Sequence, residues 1–152
     1  LDIARELHAD PQAGMLDVLI NSAAEQAIPG ATPILQAAIA GITPGEARGL
    51  LEAGRTAGTD YLKEQTATAL RTALGPQIAA ALEASGALQS YAALVAPPGI
   101  ALETLPEAPA HAGPPDLEDY VTEQAIDGLF KVLALEEARI CEELERTGLL
   151  QR

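Results

Sequence analysis

The chain has 152 residues, enough for one domain with its own core. Its apolar share of 48% leans on alanine, with one Phe, three Tyr and no Trp, which argues against a β-sandwich or barrel built from aromatic and β-branched strands. A formal net charge of −13 repels phosphate backbones and anionic lipid surfaces, so nucleic acid is not an expected partner.

Residues 1 to 10 read as a short or frayed helical piece ending at Asp10-Pro11, with fraying expected as far as residue 14. From Met15 the pattern is clear: Leu16, Leu19, Ile20, Ala23, Ala24 and Ala27 fall on one helix face, with Asp17, Asn21 and Glu25 on the other side. Pro29-Gly30 stops that helix, and Pro33 suits the first turn of the next, where its missing N–H costs nothing. The short connection predicts that these two helices are antiparallel neighbours. Thr43-Pro44-Gly45-Glu46 is the strongest local signal, an N-cap, a first-turn proline and the N3 acid of a capping box. The short helix it starts is expected to bury Ala47, Leu50 and Leu51 and to end at Gly54.

The turn Thr56 to Asp60 leads into a longer helix through Leu74, which Gly75-Pro76 is expected to break or kink sharply. A helix with Ile78, Ala81 and Leu82 follows, and Gly86 ends or bends it before Leu88, Tyr91, Ala92 and Val95. Residues 96–115 hold six prolines and match neither helical nor strand period, so they read as a surface connector. Asp116 then caps a last helix that becomes apolar nearly all round from Ala125 to Leu135, a pattern typical of a central bundle helix. Arg146-Thr147-Gly148 closes it. No strand candidate and no internal repeat is evident. The expectation is one all-α domain over residues 1–152, a bundle of about six or seven helices with the C-terminal helix at its centre.

Chemistry-bearing constellations are sparse. Asp127, Glu136 and Glu137 lie in or beside the apolar part of the last helix, and buried carboxylates are costly without partners. The structural reading makes Glu25, Asp127 and Glu136 buried polar groups held by ion pairs or helix caps. The chemical reading makes them a carboxylate set for a metal or for proton transfer. Gly128, costly in mid-helix by about 1 kcal/mol, predicts something packed against its bare backbone. The polar residues Thr59, Tyr61, Thr66, Asn21 and Glu25 either line a cleft between helices or serve as caps and surface positions. Cys141, the single cysteine, excludes an intrachain disulfide and reads as a packed thiol rather than a reactive one. His8 and His111 have no second ligand at zinc spacing, and no Glu-x-x-His pair of a di-iron bundle occurs. No nucleophile elbow, Walker loop or dinucleotide fingerprint is present, so no cofactor is expected. No apolar run approaches the ~18 residues of a spanning helix. Because the chain opens on Leu1, any export signal is expected to lie upstream of it.

Four stretches carry a family resemblance: NSAAEQAIPGATPILQAAI from Asn21, ITPGEARGLL from Ile42, GTDYLKEQT from Gly58 and DLEDYVTEQAIDGLFKVLALEEARI from Asp116. In this order they resemble an uncharacterised, mainly bacterial family, the domain of unknown function 4197. Ser22 stands where that family usually has an Arg, and Ile42 where it usually has a Met. The resemblance implies an envelope or periplasmic location, since members commonly carry an export or lipoprotein signal, and it brings no catalytic residues. The leading expectation is a non-enzymatic binding module of the cell envelope, an accessory subunit whose partner is another protein. A carrier of a small apolar ligand, with Tyr61, Tyr120 and Asp127 as polar anchors, is the alternative. A metal-dependent enzyme using Asp127, Glu136 and Glu25 is the third reading.

Overall fold

The computed structural model describes residues 11–95 and 117–148. These form helix α1 (Pro11–Ala27), a 3-10 turn (Ile28–Ala31), α2 (Thr32–Ala40), α3 (Pro44–Ala53), α4 (Ala57–Ser85), α5 (Ala87–Val95) and α6 (Leu117–Arg146). Among the described residues there is no strand, and the fold is the expected all-α bundle. The initial segment 1–10, the proline-rich connector and the Asp116 cap lie outside the described residues.

Local chemistry accounts for several boundaries. At α3 the Thr43 backbone N–H donates to Glu46 Oε2 at 2.9 Å, and the Glu46 N–H donates to Thr43 Oγ1 at 3.3 Å. Both halves of the capping box are therefore made. Gly86 ends α4 with φ at 77°, the left-handed conformation that glycine adopts without a Cβ penalty. Pro11 is the first residue of α1.

The core lies along α4, where Leu70, Leu74, Ile78 and Leu82 recur every fourth residue and are fully buried. Against them pack Ala23, Ala27 and Ala31 from one side and Val121, Ile126 and Phe130 from α6. Alanines on α1 and its turn let that segment sit close. At Gly30 a Cβ would come within 3.3 Å of Leu74 Cδ2 and 2.9 Å of Gln77 Nε2.

Several expectations are corrected. The central helix is α4, which packs against every other element, and not the C-terminal helix. The all-round apolar part of α6 keeps one face in the core while Val132 and Leu135 stand 59% and 72% exposed, because no second layer among the described residues covers that side. Pro76 does not break α4, which runs 29 residues through it. The proline lies on the exposed side, where water can hydrate the carbonyl it leaves unbonded, while the buried leucine stripe holds the axis. Helices α1 and α2 pack chiefly on α4 rather than on each other, since the 3-10 turn does not fold them back as a hairpin. Leu51 is exposed.

Candidate functional site

Two surfaces concentrate the sequence-predicted residues: a groove between α1 and α6, and a polar seam between α4 and α6. The groove encloses about 540 Å³. One wall is Ile20, Asn21, Ala24, Glu25 and Ile28; the other is Val121, Gln124, Ala125, Gly128, Leu129 and Val132. Each set repeats at helical intervals, because both walls are single stripes of a helix. The floor is apolar and small, and the polar groups are Asn21, Glu25 and Gln124. The expectation at Gly128 is reversed: a Cβ built there meets nothing within 4 Å. No described part of the chain covers that bare backbone.

The seam works differently. Helices α4 and α6 run antiparallel, and ion pairs mark their register. Lys63 Nζ donates to Asp127 Oδ1 at 2.7 Å and lies 6.0 Å from the centre of the Phe130 ring, the outer limit of a cation–π contact. Arg71 forms a two-pronged pair with Glu123. Arg55 reaches both Glu142 and Glu145 at 2.8 Å. The Lys63 hydrogen bond and charge hold the Asp127 carboxyl below its usual range, and Arg71 does the same for Glu123. At the end of the seam Glu137 accepts from the Gly58 and Thr59 backbone N–H groups at 2.8 and 2.7 Å. The carboxylate satisfies two of the unpaired donors at the α4 N-terminus, where the helix dipole favours negative charge. Glycine at 58 makes the approach possible: a Cβ there would lie 2.7 Å from Glu137 Oε1.

The expected site residues do not assemble. Asp127 is an ion-pair partner with a side chain 42% exposed, not a buried group. Glu136 is exposed and held by Arg139 one turn along at 2.8 Å. Glu25 is exposed on the groove wall. All three fall outside the buried stripes of their helices, which is why local apolar density misplaced them. Tyr61 is half-buried and Tyr120 is 52% exposed; with Asp127, neither lines the groove. Thr66 bonds back to the Leu62 carbonyl at 2.6 Å, and Cys141 is buried. Among the described residues no three His, Cys, Asp or Glu side chains come together in a geometry that could hold a metal ion.

Sequence reading missed Glu137 as a cap, and it missed a short repeat. Glu-Gln-Ala-Ile-x-Gly occurs at residues 25–30 and again at 123–128. The two copies lie on opposite sides of the groove: Glu25 and Ile28 come from the first, and Gln124, Ala125 and Gly128 from the second. Both central alanines, Ala27 and Ala125, are buried.

The class defined so far is an all-α bundle with an open inter-helix groove. The family described as protein of unknown function (DUF4197) matches residues 2–151, and the chain belongs to it. No curated protein and no solved structure matches the chain. No helix among the described residues is long and apolar enough to cross a membrane.

Proposed function

We propose that this protein is a non-enzymatic binding module of the cell envelope, an accessory subunit of a larger assembly, with the α1–α6 groove as its binding face. The observation that carries this reading is the groove itself, an apolar trough with bare backbone at Gly128 and an exposed wall at Val132. An apolar trough with a few polar groups on its walls is a candidate binding site. The envelope location follows from the resemblance to a family whose members commonly carry export or lipoprotein signals.

The test is a photoreactive amino acid placed at Gly128 or Val132 in cells that make the protein, with Glu52 and Glu64 as exposed controls elsewhere. Discrete adducts to another protein from the groove positions only, recovered in the envelope fraction, are the expected result. Adducts from all four positions alike, or from none, would count against the reading.

A carrier of a small apolar ligand is the second reading, because about 540 Å³ falls within the ~300–1,000 Å³ of small-molecule sites. Its polar anchors would be Asn21, Glu25 and Gln124 rather than the tyrosines. Native mass spectrometry of protein isolated from its own cells tests it, by a bound mass that a groove-filling substitution removes.

A further inference from the structure

We propose that the occupant of the α1–α6 groove is a cationic amphipathic helix of another protein, its apolar face on the trough and its Lys or Arg side chains at Asp17 and Glu25. This rests on reading the groove as the binding face and names the partner's chemistry.

Shape is the first argument. The α6 wall runs from Val121 to Val132, which at 1.5 Å per residue is roughly 16 Å, about three helical turns. Both walls are helical stripes, so the trough is a long slot open along one side. A rod with apolar residues at helical spacing fills such a slot, in the helix-in-groove mode of recognition. A compact ligand needs enclosure on most of its surface. Small residues line the middle, Ala24 opposite Ala125 and Gly128, and Gly128 has open space above it. An incoming helix can therefore approach the α6 backbone closely.

Charge is the second argument. Asp17, Asn21 and Glu25 follow one another at every fourth position along the rim of α1. Asp17 and Glu25 are exposed and, unlike the acids of the seam, form no ion pair with any described residue. Together with Asn21 they give the α1 side of the groove an exposed acidic rim. In a chain of net charge −13, a second copy or an acidic helix would meet like charge along this rim, whereas a basic helix meets its complement.

The probes are three fluorescent synthetic peptides of about 14 residues: a Leu/Lys amphipathic helix, the same composition scrambled so that no apolar face forms, and a Leu/Glu amphipathic helix. Their binding to the full chain is followed by anisotropy at low and high salt. The Leu/Lys helix is expected to bind, G128W to weaken it at least tenfold, and D17N with E25Q to weaken it several-fold and flatten its salt dependence. V132E, at an already exposed position, serves as a second block should G128W fold poorly; thermal melts report which variants remain folded.

Equal binding of the scrambled peptide, untouched by G128W and V132E, would reduce the effect to diffuse charge attraction and overturn the proposal. G128W-sensitive binding of the Leu/Glu helix overturns the basic occupant but leaves the groove reading intact. Stoichiometric displacement by decanol would assign the groove to a small apolar ligand. Dimerisation in sedimentation that G128W abolishes would assign it to a second copy, and a photocrosslink from Val132 to residues 1–10 or 96–116 would assign it to the chain itself. Failure of all three peptides, with groove adducts still present in cells, sinks this inference alone.

Discussion

Helices α4 and α6 are nearly equal in length, 29 and 30 residues, and they are used in opposite ways. Helix α4 has the less conspicuous sequence, crowded with Ala and Thr and interrupted by Pro76, yet four of its aliphatic side chains are fully buried and every other element rests on it. Helix α6 contains the densest apolar run, yet past Phe130 only Cys141 is buried. What separates them is the number of neighbours. A side chain is buried by walls on several sides, and α6 has α4 on one face, the groove on another and solvent beyond. Its C-terminal half is held by ion pairs and by the Glu137 cap rather than by a core.

That contrast is tested most directly by truncating matched aliphatic residues on the two helices. Leu74→Ala should cost about 2–5 kcal/mol, the usual penalty for a buried leucine whose cavity cannot collapse. Leu135→Ala, on the more apolar stretch but at 72% exposure, should fall within about 0.5 kcal/mol of wild type. Urea denaturation of the two variants gives both numbers. Comparable losses would mean that α6 is covered after all and would return it to the centre of the bundle.

The Glu137 cap joins the two helices and is next in size. Glu137→Ala leaves two N–H groups of α4 without their acceptor and should cost about 1 kcal/mol, within the range for lost N-caps. Gly58→Ala should displace the same carboxylate, because its Cβ would lie 2.7 Å from Oε1. The two changes act on one contact, so their double-mutant cycle should be clearly non-additive. Simple additivity would show that the cap contributes nothing through Gly58. At Gly128 the sign reverses: Gly128→Ala meets nothing within 4 Å, and it should stabilise the isolated protein by somewhat less than ~1 kcal/mol through helix propensity. A stabilised variant that binds less well would locate the cost of that glycine in function.

Much of this architecture was legible along the chain, and what was not shares one cause. Thr43 and Glu46 as a capping box and Gly86 as a helix end are read from neighbours within a few residues, and the structure follows them. Pro76 was overestimated because local propensity cannot see that Leu74 and Ile78 are clamped on both sides of it. Glu137 is separated by 79 residues from the Gly58 N–H it accepts, and nothing near it marks it as different from Glu136. Similarly, Asn21 and Glu25 were legible as the outer face of α1, but not as a wall, since a groove exists only once a second helix stands beside the first. Asp127 was judged by its apolar neighbours in sequence. In space its neighbour is Lys63.

The smallest expected effect lies in the seam and is a matter of pH. The Asp127 and Glu123 carboxyls are held below their ordinary range by Lys63 and Arg71. A native-state pKa below the unfolded one means that the unfolded chain takes up protons first as pH falls. The stabilisation is therefore fully present above the ordinary carboxylate range of about 4 and is lost as pH drops through it toward the lowered native value. Because these groups are well exposed and screened by salt, the loss should be modest and should shrink at high ionic strength. Comparing wild type with Asp127→Asn and Lys63→Met, alone and combined, between neutral pH and pH 3 isolates the pair. Its coupling should disappear at the acid end while the effect of Leu74→Ala persists unchanged. A coupling that survived acid would mean that Lys63 and Asp127 are held by packing, and the distinction between a helix fixed by its core and one fixed by its charges would fail at its midpoint.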